Sequence, residues 1–184
     1  TGLVTFHGND VIWGFGRKPQ EYDRNEFFAR CVEGRIGLIP AYRERLVVRG
    51  GRAEGRLLGG NLRCLLKLAG TSYFPNMEGA ILFMEALRVV PEVIETFFTV
   101  LEHEGVFNQI NGAIVGYIHS AQKNGELASP VEEILARRSS AYGFPILKVN
   151  DFGHNCPNTV LPVGALARVD GGDLSIELLD KFVQ

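Results

Sequence analysis

Cysteine is scarce in this chain: Cys31, Cys64 and Cys156 are odd in number and share no close spacing. That excludes a disulfide framework and suits a reducing compartment, so a cytoplasmic protein is expected. No apolar run approaches the roughly 20 residues of a membrane-spanning helix, and the start carries neither the charged lead nor the small-residue cleavage pattern of a signal peptide. Charge of one sign is lacking too. Nineteen Lys and Arg against 21 Asp and Glu give a formal net charge of −2, with the signs interspersed. No electrostatic footprint for nucleic acid or an anionic membrane results. A small neutral or zwitterionic ligand fits better. Cys-x-x-Cys and His-Glu-x-x-His spacings are absent, so His7, Cys64, His154 and Cys156 make a poor zinc set. Gly14-Phe15-Gly16 and Gly59-Gly60-Asn61-Leu62 lack the spacing and the lysine of phosphate loops. No metal and no cofactor is expected.

What is present is an ordinary folding composition. Hydrophobic residues make up 46% and charged residues 22%, and 184 residues suffice for one core, so a single domain over 1–184 is expected. The pattern predicts a strand over 3–6, a helix over 21–32 stopped by Gly34, and two short strands, 46–48 and 53–58, joined as a hairpin by Gly50-Gly51. A short helix over 62–68 follows the break at 59–61. AILFMEA is a continuous apolar run of strand length, which suggests burial on both faces. Pro91 opens a helix with an apolar stripe that ends at Gly105, GAIVG is a second covered strand, and Pro130 opens another helix. FPILKVNDF, LPVGALARVD and LSIELL read as three further strands, the last two joined by the turn residues 170–173. The fold class is α/β, with a mixed β-sheet and flanking helices.

Two residues stand out for chemistry. His154 ends a strand at DFGHNCPN, where Gly153 and Pro157 turn the chain and leave the ring at a sheet edge, a place where rigid sheets hold reactive groups. Glu85 is a carboxylate at the end of the most apolar strand, and carboxylates are seldom buried unpaired. If the strands ending at Glu85 and His154 are neighbours, the carboxylate fixes the imidazole tautomer and leaves the other ring nitrogen free to move a proton. A buried Glu bonded to backbone amides fits the spacing equally well. His103 and His119 read as solvated, and the cysteines as core residues. Thr1 followed by Gly also fits a terminal nucleophile that acts as its own base.

The ordered set TGLVTFHG, AEGRLLGGNL, GTSYFPNMEGAILFME, GVFNQINGAIVG, GFPILKVNDFGH and NTVLPVGALARVD resembles the LD-carboxypeptidase family of serine peptidases, which also contains the microcin C self-immunity proteins. The likeness runs from Thr1 to about Leu178. It implies the family's C-terminal swivelling-type domain, with the Glu and His of a Ser-Glu-His triad at Glu85 and His154 and the active-site glycine turn at Gly59, Gly60 and Asn61. The serine and its oxyanion-hole elbow are implied to lie upstream of Thr1, in an N-terminal nucleophile domain, so the 184-residue chain alone is expected to be inactive. The implied substrate is a small peptide with an amide between an L-centre and a D-amino acid, with Arg63 as a candidate for its free carboxylate. Departures from the family pattern at Asn9 and at Ala86-Leu87-Arg88 bear on substrate detail and not on the fold, while Val149-Asn150-Asp151-Phe152 is more similar to the self-immunity branch and keeps open an aminoacyl-nucleotide substrate. A non-catalytic domain that binds the N-terminal half or forms a homodimer is the reading from another class.

Overall fold

Ile81, Phe83 and Glu85 alternate with Leu82, Met84 and Ala86, and all six are buried, as a strand covered on both faces requires. This strand, β5 (Ile81–Ala86), lies near the centre of a mixed sheet in a computed structural model that describes residues 3–123, 126–154 and 156–183. Its parallel neighbours are β4 (Arg52–Asn61) on one side and β6 (Gly112–Ile118) on the other, and β7 (Ile146–Gly153) runs parallel beyond β6. Antiparallel strands complete both edges. β3 (Leu46–Arg49) pairs with β7, while β9 (Leu166–Asp170), β10 (Ser175–Leu178) and β2 (Gly37–Leu38) extend the sheet beyond β4. A separate two-stranded ribbon joins β1 (Thr5–His7) to β8 (Leu161–Val163), with His7 opposite Leu161.

The helices cover one face. α3 (Pro91–His103) starts at a proline, whose missing N–H costs nothing in a first turn, and buries Ile94, Phe98 and Leu101; the single turn α4 (Val106–Gln109) follows it. α5 (Pro130–Arg138) starts at a capping box in which Ser129 and Glu132 satisfy each other's backbone. Both pack on the β5 face that carries Leu82, Met84 and Ala86. The opposite face, with Ile81, Phe83, Ile114, Leu147 and Phe152, is covered by residues of β8, β9 and β10. Glu85 belongs to this second face by alternation. α1 (Glu21–Phe27) continues through a π-helical turn over Phe28–Val32, so the expected helix over 21–32 is present.

Two expectations of connectivity differ. The strands flanking Gly50-Gly51 form no hairpin: β3 goes to β7 and β4 goes between β9 and β5. The first half of β4 bends beneath the starts of the parallel strands, bringing Gly51 beside Pro145 and Ala53 beside Gly112, so turn chemistry loses to burial. LPVGALARVD is two strands, β8 and β9, split at Gly164, each serving a different sheet. The turn joining β9 and β10 is present. Thr1 lies outside the described residues. Among the described residues no helix is long and apolar enough to cross a membrane.

Candidate functional site

β4, β5 and β7 run parallel, so Asn61, Glu85 and His154 arrive together at their C-terminal ends, where open α/β sheets place ligands. The strands of Glu85 and His154 are not neighbours, because β6 lies between them. The gap is closed by irregularity. The β6–β7 register shifts between Val115 and Tyr117, so that Tyr117 faces Gly153, and the Phe152 ring crosses Gly116, where an added Cβ would stand 2.4 Å from it. The strand end thereby rides over β6, and His154 Nδ1 lies 2.6 Å from Glu85 Oε2.

A carboxylate only accepts, so Nδ1 donates to Glu85, and in the neutral tautomer that this bond selects Nε2 is the free acceptor. Glu85 is fully buried, whereas the His154 side chain is 44% exposed. The other oxygen, Glu85 Oε1, accepts from Asn61 Nδ2 at 2.8 Å. Asn61 is held in turn, because its Oδ1 accepts the Cys64 backbone N–H at the start of α2 (Leu62–Leu65). Among the described residues, Glu85 is satisfied by two side chains, Asn61 and His154, rather than by backbone amides. Asn61 reaches Glu85 because β4 turns at Gly59 and Gly60, both at positive φ. At Gly59 a Cβ would stand 1.8 Å from the Phe83 carbonyl oxygen, so only glycine fits.

The segment after His154 is fixed from outside the sheet. Asn158 Oδ1 accepts the Gly153 N–H at 2.7 Å, and its amide donates to Asn9 Oδ1 and to the Cys156 carbonyl. Asp23, buried on α1, accepts from the Asn158 N–H, the Asn9 amide and the Gln20 N–H. Thr159 donates to Glu26, which pairs with Arg30. On the adjoining strand the buried Asp151 carboxylate receives the Arg45 guanidinium and the Tyr42 N–H. Nothing in the local sequence announced these supports.

His154 stands between two clefts. One, about 320 Å³, is lined among others by His7, Asn9, Trp13, Arg17, Asn158 and His154. The other, about 400 Å³, is lined by Asn61, Arg63, Cys64, Leu87, Arg88 and His154. Arg63 is exposed there, and Arg88, also exposed, holds a left-handed backbone at φ 51°, a conformation of the kind that gathers at functional sites. Gly59 and Gly60 line neither cleft; they shape the backbone behind it. Neither His7 nor Trp13 was picked as a site residue from sequence; His7, expected just past a strand over 3–6, is the last residue of β1.

Several smaller expectations change. His119 is half-buried rather than solvated, and its N–H donates to the Ala86 carbonyl. His103 is exposed, as expected. Cys64 is exposed rather than core, and Cys31 and Cys156 are half-buried. Burial raises the thiols of Cys31 and Cys156 above the ordinary range, which makes both poor nucleophiles. Among the described residues no group of three or more His, Cys, Asp or Glu could hold a metal ion.

Comparison with known proteins gives a consistent picture. The family profile described as the LD-carboxypeptidase C-terminal domain matches residues 54–169. The microcin C7 self-immunity protein MccF of Escherichia coli is 26% identical, over all of this chain and 61% of its own length. A probable murein peptide carboxypeptidase of Bacillus subtilis is 28% identical, over 92% of this chain and 54% of its own. The chain thus spans about six tenths or less of the length of these relatives. In structure, MccF in complex with glutamyl sulfamoyl guanosine superposes on all of this chain and 63% of its own with a TM-score of 0.86 at 24% identity, a likeness of fold.

Proposed function

Since the chain belongs to the LD-carboxypeptidase family through that family's C-terminal domain, we propose that His154 is the general base and acid, and Glu85 the carboxylate that orients it, of a serine-type hydrolase whose serine comes from residues outside this chain. The observation that carries the reading is the 2.6 Å contact between His154 Nδ1 and Glu85 Oε2, with the ring open to two clefts. A serine brought to the cleft attacks the amide carbonyl as His154 Nε2 takes its proton. Glu85 holds the ring in that tautomer and stabilises the imidazolium, and the proton then goes to the leaving amine. Water repeats the sequence to release the acyl group. Asn61 keeps the Glu85 oxygen aimed, and Gly59 and Gly60 let the strand turn beside the substrate.

The substrate class is a small peptide with an amide between an L-centre and a D-amino acid. Arg63, with Arg88 across the same cleft, supplies positive charge for a free carboxylate. A second reading is supported by Trp13, which lines the other cleft 65% exposed with the Arg17 guanidinium 4.1 Å over its ring, an aromatic surface and a positive charge that together suit a nucleotide. In that reading the substrate is an aminoacyl-nucleotide conjugate, in keeping with the ligand of the MccF complex. The exposed apolar side chains Val11, Ile12, Phe28 and Val32 support a seat for the serine-bearing segment or a homodimer contact, and the free cysteines support a cytoplasmic setting.

The deciding experiment measures D-alanine release from an L,D-tetrapeptide, and cleavage of an aminoacyl sulfamoyl nucleoside, by the 184-residue chain and by the same chain joined to a serine-bearing segment. Turnover by the joined protein alone is expected, with the peptide preferred. Preference for the nucleoside selects the second reading. Turnover by the 184 residues alone contradicts an external serine and turns attention to Thr1.

A further inference from the structure

The cleft holds an imidazole that the proposed chemistry does not use. We propose that His7 binds substrate directly, as a neutral imidazole donating a hydrogen bond to a carbonyl or carboxylate oxygen of the peptide. The inference rests on the hydrolase reading of Glu85 and His154.

Geometry puts His7 in the same row of side chains as the pair. Its ring meets Phe83 edge-on at 5.4 Å between centroids and Phe152 at 6.1 Å, and these phenylalanines stand two residues before Glu85 and His154. Beside it is Gly60, where an added Cβ would approach His7 Nδ1 to 3.6 Å. Its backbone is as firmly held as that of His154. β1 pairs with β8, and Asn9, two residues on, bonds to both Asn158 and Asp23.

What distinguishes His7 is that its polar atoms are unspent. Among the described residues its ring makes contacts with two phenylalanines but no hydrogen bond, yet the residue is half-buried and lines the cleft shared with His154. A polar group that gives up water without a protein partner is costly unless a ligand supplies one. Burial lowers its proton affinity, and the nearby His154 does the same, against the opposing pull of Glu85, so the ring is neutral near pH 7 and keeps one N–H to donate. A neutral donor suits an oxygen acceptor and does not compete with His154 for the charge of Glu85.

The test uses the chain joined to its serine-bearing segment. His7→Phe preserves the aromatic packing and removes the donor; His7→Gln restores an N–H. Binding of the L,D-tetrapeptide is measured by calorimetry in a His154→Ala background, alongside KM and kcat in the parent and thermal unfolding of each variant. His7→Phe is expected to unfold with the parent yet bind about tenfold or more weakly, the size of a lost hydrogen bond at a buried site, with the change in KM exceeding that in kcat and His7→Gln recovering most of it. Binding by His7→Phe within twofold of the parent overturns the proposal, as does His7→Gln remaining as weak as His7→Phe. If instead Glu85→Gln and His154→Ala turn over normally, the hydrolase reading itself falls. Inactive variants of that pair alongside normal binding by His7→Phe remove only His7.

Discussion

Glu85 and His154 touch, but they are held by different kinds of structure. Glu85 sits in a central strand whose every residue is buried, with the helices behind it; the β5–β6 register shifts between Met84 and Ala86, and one side-chain bond from Asn61 completes its aim. His154 stands just past a strand whose end is irregular, and its position depends on a polar cluster of Asn158, Asn9 and Asp23, drawn from sequence separations of up to 149 residues. The carboxylate is fixed by packing and the imidazole by hydrogen bonds. The proposed roles suit these frames: a buried carboxylate requires a rigid surround that excludes water, whereas a ring proposed to transfer protons is left open to the clefts and steadied from its far side.

The contrast is broken most severely at the packed end. Glu85→Gln keeps the shape but loses the charge that stabilises the imidazolium; in the joined protein it should lower kcat by about 10⁴, as in the analogous serine-protease substitution, with near-normal unfolding. A loss below tenfold would remove Glu85 from the mechanism. Gly59→Ala attacks the same end through the backbone. Its methyl group would meet the Phe83 carbonyl at 1.8 Å, so a loss of about 3 kcal/mol or more is expected in denaturant unfolding, and unchanged stability would show that β4 can straighten.

At the hydrogen-bonded end, Asp23→Ala leaves three N–H donors without their acceptor. A cost of about 2 kcal/mol follows, and hydrogen exchange should quicken across 153–159 while β5 stays protected. Equal loosening of both regions would deny that the two frames are separate. The smallest effect concerns pH. The folded-state proton affinity of His7 is lowered, so the native chain binds fewer protons than the unfolded chain once the pH falls below the ordinary histidine value of 6.5. Stability is therefore full above that value and declines as the pH drops. The decline should be shallower in His7→Phe; identical pH profiles would contradict a depressed His7.

Much of the packed frame was legible. A carboxylate ending ILFME reads as buried and in need of partners, although the spacing fitted backbone amides as well as His154, and the prolines and glycines bounding α3 and the β9–β10 turn act locally, so their sequence positions carry the signal. The hydrogen-bonded frame was not legible, because Asn9, Asp23 and Asn158 are ordinary polar residues until the fold gathers them. The hairpin expected at Gly50-Gly51 failed for the same reason: a local turn signal cannot see that β4 must run beneath three other strands. His154 could be picked from its place at a strand end, but its route over β6 depended on Gly116 accepting the Phe152 ring, a long-range fit that no periodicity reports. His7 lay in view at the end of its strand and was passed over because nothing nearby marked it.

The most direct test of the central claim, that Glu85 and His154 work as one unit, is a double-mutant cycle on the joined protein. Turnover of the L,D-tetrapeptide is measured for the parent, Glu85→Gln, His154→Ala and the double variant. Residues that act through each other are strongly non-additive, so the double variant should be no slower than His154→Ala alone. Losses that multiply would mean that the two side chains act independently and that their 2.6 Å contact is not the catalytic linkage.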